Sequence, residues 1–376
     1  MKNKAFRTAA ASGIMLFMCS AAQFAQVPTW KGKIVKEGEI TVVQNPKEPI
    51  YRDPILTLKE DLIVGGSKAQ GESAFSMAWS IAVDNGGNIY VGDLKQACVK
   101  VFDKAGAYLR TIGRRGQGPG EMSGVLSVCV NPSNQELIVS EAHKLIFFDL
   151  QGQFKRNLML RGMATHASLD RQGNVFAWIS DIRERRSIFR LFSPDMTEIL
   201  SDIVVIPDRP DLNMYSPRDY WILDPQGRLI FGYPKTYEIS FYDEHLKIAK
   251  KIVRAYEPVK VTEEDKKIYM KRMIPPGSSG PVKKPCPSVH AAFRSFFLDD
   301  HGRLFVQTWE RTSDGRQDIH DVYDSEGRFF GRIALNVHPD FINPVQRILK
   351  NNKLYAVESD EQGYEVVKRY AVTWKH

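Results

Sequence analysis

The chain has 376 residues, 43% hydrophobic and 26% charged, with 27 Gly, 20 Pro and a formal net charge of +8. That is ample apolar material for a large core, and the basic excess is too mild to make nucleic acid an expected partner. Beyond residue 22 only Cys98, Cys129 and Cys286 remain. They are too few for a disulfide framework, and without a CxxC pair a structural zinc site is not expected either. Cys98 and Cys129 read as small buried hydrophobes.

Residues 1–22 read as a cleaved secretory signal. Lys2, Lys4 and Arg7 precede an apolar run from Ala9 to Met18, and Ser20-Ala21-Ala22 supplies a small-x-small cleavage site. The apolar run is too short to span a bilayer, so no transmembrane anchor is expected. Phe17-Met18 ahead of Cys19 lacks the small residue that lipidation requires, which favours soluble export, periplasmic or secreted, over a lipoprotein. Residues 23–376 then form a single domain.

Ile40–Val43 reads as a first strand, and Asp61–Val64 as a second that leads into Gly65…Gly71-Glu72. From Trp79 to Met122 four short β-rich runs follow one another: Ser80–Val83, Ile89–Val91, Val99–Phe102 and Tyr108–Ile112. Runs this short, rich in Val, Ile, Tyr and Phe and bounded by Gly, Asp and Asn turns, are antiparallel strands rather than helices. One such sheet cannot bury both of its faces, so the unit must repeat. An apolar strand ending in a polar residue, a turn, then a second apolar strand recurs at Asp84, Asn131, Asp170, Asp224 and Asp299, and in degenerate form at Lys350. The intervals are blade-sized, with one long gap. A second marker, aromatic-Asp-turn-Gly, falls at Phe102-Asp103…Gly106, Phe148-Asp149…Gly152 and Tyr323-Asp324…Gly327. There Asp caps its own turn and Gly takes positive φ.

The sixth repeat stops after its third strand, Glu365–Trp374, while Asp61–Glu72 mirrors Arg110–Glu121. The reading is therefore an all-β, six-bladed β-propeller in which an N-terminal strand closes the last blade, with Ile40–Val43 packed nearby. The long gap carries one helical insertion at about 255–290. Thr262 is an N-cap before Glu263-Glu264-Asp265, and Pro275-Pro276-Gly277 stops the helix.

The strand-Asp-xx-Gly-Asn-Ile-Tyr-Val-x-Asp pattern at Val83–Asp93, followed by Val99–Gly106, resembles the NHL-type repeat of six-bladed propellers. Ile112-Gly113-Arg114-Arg115-Gly116-Gln117-Gly118-Pro119-Gly120-Glu121, together with Asn45–Pro49, is similar to a group of exported bacterial six-bladed propellers of undefined function. The resemblance implies the fold but no reaction, since such rings host binding modules, lyases and lactonases. Where the family pattern has Asn and Arg after Asp93, this chain has Gln96 and Cys98, which puts one inter-strand contact in doubt.

In this topology the second-to-third-strand loops and the blade-to-blade loops share one face. Ligand-binding candidates on it are Arg114, Arg115, Glu121, His143, Arg183, Tyr233, Lys235, Trp309 and Arg311. Basic and aromatic side chains so interleaved suit an anionic, peptide or glycan surface. The expected function is an exported binding or scaffold module for a protein, peptide or glycan, with no cofactor. The alternative is a metal-dependent lyase or lactone/ester hydrolase, in which Ca or Zn at the channel mouth is held by His166, His290 or His338. These histidines have no fixed local spacing, and the sequence leaves open whether the protein is an enzyme. Gly113–Gly120 looks like a phosphate cradle, yet it lacks the Lys-Ser/Thr and helix of a Walker loop and the βαβ unit of a dinucleotide loop. It reads as a structural crossing in which Glu121 accepts backbone N–H bonds.

Overall fold

The computed structural model describes residues 29–131, 134–160, 163–181, 184, 186–207, 220–267, 287–336 and 347–376. The signal segment 1–22 lies outside them. The chain is a six-bladed β-propeller, each blade a meander of antiparallel strands. The innermost strands are Ala78–Val83, Ser127–Asn131, Met163–Leu169, Tyr220–Leu223, Ser295–Leu298 and Arg347–Lys350, for blades 1 to 6.

The expected closure is present. Leu56–Gly65 pairs antiparallel with Glu365–Trp374 as the outer strand of blade 6, in a register running from Leu56 opposite Trp374 to Gly65 opposite Val366. Arg369 and Lys353 both bond Asp61 across this junction. Ile40–Asn45 sits elsewhere than expected. It adds in parallel to Ile248–Arg254, the outer strand of blade 4, and brings Lys33–Glu37 with it, so that this blade has six strands. Asn45 then rivets blade 5. Its Nδ2 donates to the Gly327 carbonyl (2.9 Å) and its Oδ1 accepts from Phe329 N–H (2.7 Å).

Strand alternation explains why both faces of each blade are apolar. Successive side chains point to opposite faces, so Ile89 and Val91 join the core shared with blade 6 while Tyr90 joins the core shared with blade 2. Leu137 and Val139 likewise face blade 1, whereas Ile138 faces blade 3. The remaining seams are filled by Phe189, Trp221 and Phe231 between blades 3 and 4, by Ile239, Phe296 and Tyr323 between blades 4 and 5, and by Phe305, Val322 and Leu354 between blades 5 and 6. The core is thus a circle of seams around the channel.

The turns behave as their residues dictate. Asp103 Oδ1 accepts from the N–H of Ala105 (2.8 Å) and Ala107 (2.9 Å), and Gly106 takes φ +86°. Gln96, the departure from the family pattern, makes its own inter-strand link, donating to Ser76 Oγ at 2.8 Å. Cys98 is buried, and burial raises its thiol pKa to about 11. Cys129 departs from expectation: it lies on an innermost strand, beside the channel, and is exposed.

Ile55 is fully buried in the seam between blades 5 and 6, beside the closing strand. Ile55→Ala is expected to cost about 2–5 kcal/mol through lost transfer energy and the cavity left behind. The check is the shift in urea midpoint at unchanged m-value. A cost below about 0.5 kcal/mol would show that the closing strand is not held by packing.

Candidate functional site

The glycine-rich crossing between blades 1 and 2 is filled by its own carboxylate. Glu121 Oε2 accepts from Gly118 N–H (2.9 Å) and Oε1 from Arg114 Nε (2.8 Å), so the Gly118 bond and then Arg114 hold its pKa below the usual range. A Cβ on Gly116 would collide with that carboxylate. Arg115 donates to the carbonyls of Ser123 (3.0 Å) and Lys95 (2.5 Å), and buried Lys144 donates to the Glu121 carbonyl (3.0 Å). The same clamp recurs one blade earlier, where buried Lys100 donates to the Glu72 carbonyl at 2.5 Å. An anion seat is therefore already occupied here, and Arg114, Arg115 and Glu121 are spent on the crossing itself. His143 is exposed nearby, and its carbonyl accepts from Leu160 N–H.

A second group of candidates converges around blade 5. The insertion leaves and returns at one point: Val261 N–H donates to Ser288 O (3.0 Å) and His290 N–H to Val259 O (2.8 Å). Thr262 and Asp265 form a capping box at the start of the short helix 263–267, with Thr262 N–H on Asp265 Oδ2 (2.8 Å) and Asp265 N–H on Thr262 Oγ1 (3.1 Å). Asp265 Oδ2 also meets His290 Nε2 at 3.2 Å. The His290 ring stacks on Trp309, with centroids 4.1 Å apart and planes 8° from parallel. Arg294 approaches the Trp309 ring at 5.0 Å. The loop carrying Tyr233 and Lys235 is joined to this group by Ala292 N–H donating to Pro234 O (2.8 Å).

Beneath Trp309 lies a buried polar layer that the loop-based reading missed. Asp318 bonds Gln307 Nε2 (2.6 Å) and Arg294 Nη1 (3.1 Å), with Arg311 Nε at 3.5 Å. His320, two residues on, is fully buried. Its Nδ1 stands 3.1 Å from the Asp318 carbonyl and its Nε2 3.0 Å from Arg347 Nη1. A guanidinium only donates, so Nε2 must accept and the proton sits on Nδ1. Burial first, then Arg347, holds the His320 pKa well below the ordinary imidazole value. A signal was available in the sequence: Asp318-Ile319-His320-Asp321 places three polar residues in a strand of an otherwise apolar seam.

Arg183 and His338 lie outside the described residues, as does the His166 side chain. Among the described residues no group of three His, Cys, Asp or Glu side chains is placed to hold a metal.

Residues 78–199 match a protein family described as "6-bladed beta-propeller". No curated protein matches the chain in sequence. Among solved structures, a Bacteroides fragilis protein described as exported is similar at TM-score 0.57 and 12% identity, over 89% of this chain and 100% of its own. A member of the duf4221 family from Bacteroides vulgatus matches at 0.51 and 11%, over 85% and 99%. The PQQ-bound aldose sugar dehydrogenase of Streptomyces coelicolor matches at 0.46 and 13%, over 85% and 99%. Identities this low speak for the fold alone. The class of protein is thus the six-bladed propeller.

The low pKa of His320 carries a sign. The unfolded imidazole takes up a proton near pH 6.5 and the folded one does not, so the unfolded state binds more protons and stability falls as pH drops below about 6.5. Melting scans from pH 7.5 to 5 are expected to show a decline of several degrees, flattened in His320→Gln. An unchanged slope in that variant would place the titrating group elsewhere, with His290, whose pKa is lowered mainly by burial, the next to test.

Proposed function

We propose that the protein is an exported binding module that recognises a protein, peptide or glycan through the sector formed by Tyr233, Lys235, His290, Trp309 and Arg311. The carrying observation is the stack of His290 on Trp309 with Arg294 and Arg311 alongside, at the root of the insertion. Guanidinium groups held in place beside the edge of an ordered indole suit charge pairing and edge contact with a sugar or peptide. Export rests on the signal-like residues 1–22, and the NHL-type character of the repeats belongs to the same reading. His143 remains a secondary candidate, and so does Arg183, which lies outside the described residues. No observation favours the metal-dependent lyase or hydrolase: the Nε2 of His290 is engaged by Asp265.

Immobilised protein should retain a ligand from an envelope extract or a glycan array. Trp309→Ala with Arg311→Ala should weaken that retention by more than tenfold while leaving the melting temperature within a few degrees. Arg114→Glu, on the self-filled crossing, should leave retention unchanged. Retention indifferent to the blade 5 pair would retire this sector as the site.

A further inference from the structure

Tyr220 opens the innermost strand of blade 4, Arg294 immediately precedes that of blade 5, and Arg347 opens that of blade 6. The strand openings of blades 1 and 2 are Ala78 and Ser127. Two guanidinium groups, Arg294 and Arg347, thus stand at the strand openings of the adjacent blades 5 and 6.

Arg347 is 8% exposed, and among the described residues its guanidinium bonds go to uncharged acceptors: Nη1 to His320 Nε2 at 3.0 Å and Nη2 to the Asn336 carbonyl at 2.9 Å. Asp318, in the same seam, is engaged by Arg294 (3.1 Å) and Gln307 (2.6 Å), with Arg311 at 3.5 Å. Withdrawing a guanidinium from water is costly unless an anion sits against it. Burial lowers the Arg347 pKa to about 10 even against the attraction of Asp318 and Glu358, with Arg294 pushing it the same way as burial. A further donor adjoins the group. The Trp309 Nε1–H is buried and meets no acceptor among the described residues, while Arg294 lies over its ring.

The seam between blades 4 and 5 provides a control inside the same molecule. There Asp321 bonds Arg254 (2.7 Å), Arg332 (2.9 Å) and Tyr237 (2.6 Å), and Arg332 is also chelated by Glu310 at 2.8 and 2.9 Å. Each guanidinium in that seam has a carboxylate bonded to it, whereas Arg347 is bonded to a ring nitrogen and a carbonyl.

We propose that Arg347 and Arg294, with the Trp309 indole N–H, form a seat for a compact oxyanion, a carboxylate, sulfate or phosphate group carried by the ligand of the blade 5 sector. The inference rests on the binding reading above and names the ligand's chemistry: an acidic peptide or an acidic or sulfated glycan rather than a neutral one. Arg347 supplies paired N–H donors of the kind that match such groups.

Calorimetry and thermal shift with inorganic phosphate, sulfate and succinate, at ionic strength held constant with chloride, test the seat. At least one oxyanion is expected to bind saturably at one per chain. Arg347→Gln should weaken it at least tenfold, and Arg347→Lys should restore part of the loss. Should Arg347→Gln fail to fold, Arg311→Gln at the more exposed edge carries the comparison, with a weakening of threefold or more expected. The tightest of the three anions identifies the group. Absence of saturable binding, or equal binding by a folded Arg347→Gln protein, overturns the seat. If the envelope or glycan ligand is still retained through Trp309 and Arg311 in that case, the sector reading survives; if that retention is also missing, both fall.

Discussion

The hydrogen-bond ladder between Leu56–Gly65 and Glu365–Trp374 is the constraint on which the ring depends. Each blade is apolar on both faces, so a blade without two neighbours exposes a whole side of its core to water. The ladder brings Val64 against Ile81 and Val91 of blade 1 and seats Ile55 and Leu56 against Phe305 and Val322 of blade 5. The first and last parts of the chain are thereby joined, and the closure entropy of some three hundred intervening residues is spent once, at a cost that grows only slowly with loop length. Every other seam is made between blades adjacent in sequence.

The seams are apolar along most of their length, and both seams that flank blade 5 carry a buried charged cluster. In both, a third-strand residue of blade 5 supplies the carboxylate: Asp321 faces blade 4 and Asp318 faces blade 6, three residues apart and so on opposite faces of one strand. Asp321 accepts from Arg254 and Tyr237 and pairs with Arg332, and even so burial raises its pKa above the ordinary carboxylate value. Burying such a cluster gains little net stability. Its geometry instead fixes blade 5 relative to blade 4 and to the N-terminal segment, since Arg254 Nη2 also donates to the Lys47 carbonyl at 3.1 Å. Blade 5 is thus held rigidly at the point where its polar face meets the mouth.

The repeats were legible because turn chemistry is local: Asp84, Asp170 and Asp299 each bond backbone N–H groups a few residues on, and a single sequence carries that information. Closure was legible through a coincidence of motifs, the mirrored segments ending at Glu72 and Glu121. The place of Ile40–Asn45 was not, because any exposed outer strand offers the same backbone donors and acceptors. The choice of blade 4 rests on Asn45 meeting Gly327 and Phe329, contacts across nearly three hundred residues. Of the site, Trp309, Arg311 and His290 were assigned to one face from topology as loop residues, though Trp309 and Arg311 in fact end the strand Leu304–Arg311. Asp318 and His320 were hidden because they sit in a strand, where periodicity predicts burial and says nothing of partners. Arg347 opens the most degenerate repeat, whose turn marker is Lys350-Asn351-Asn352 rather than Asp-x-x-Gly.

The long excursion between blades 4 and 5 explains why ordered aromatic and charged side chains gather at this one sector. A loop that departs and returns through adjacent backbone bonds costs little to order at its base, however long it is beyond. Val261 on Ser288, the bridge between Lys260 and Val289, and His290 on Val259 make such a base. The capping box at Thr262 and Asp265 then points the Asp265 carboxylate at His290, and the imidazole is pressed flat on Trp309. The indole is therefore fixed from above by the insertion and from below by Arg294 and the Asp318 layer. An aromatic and cations ordered in this way by the fold have little rotamer entropy left to lose in any further contact.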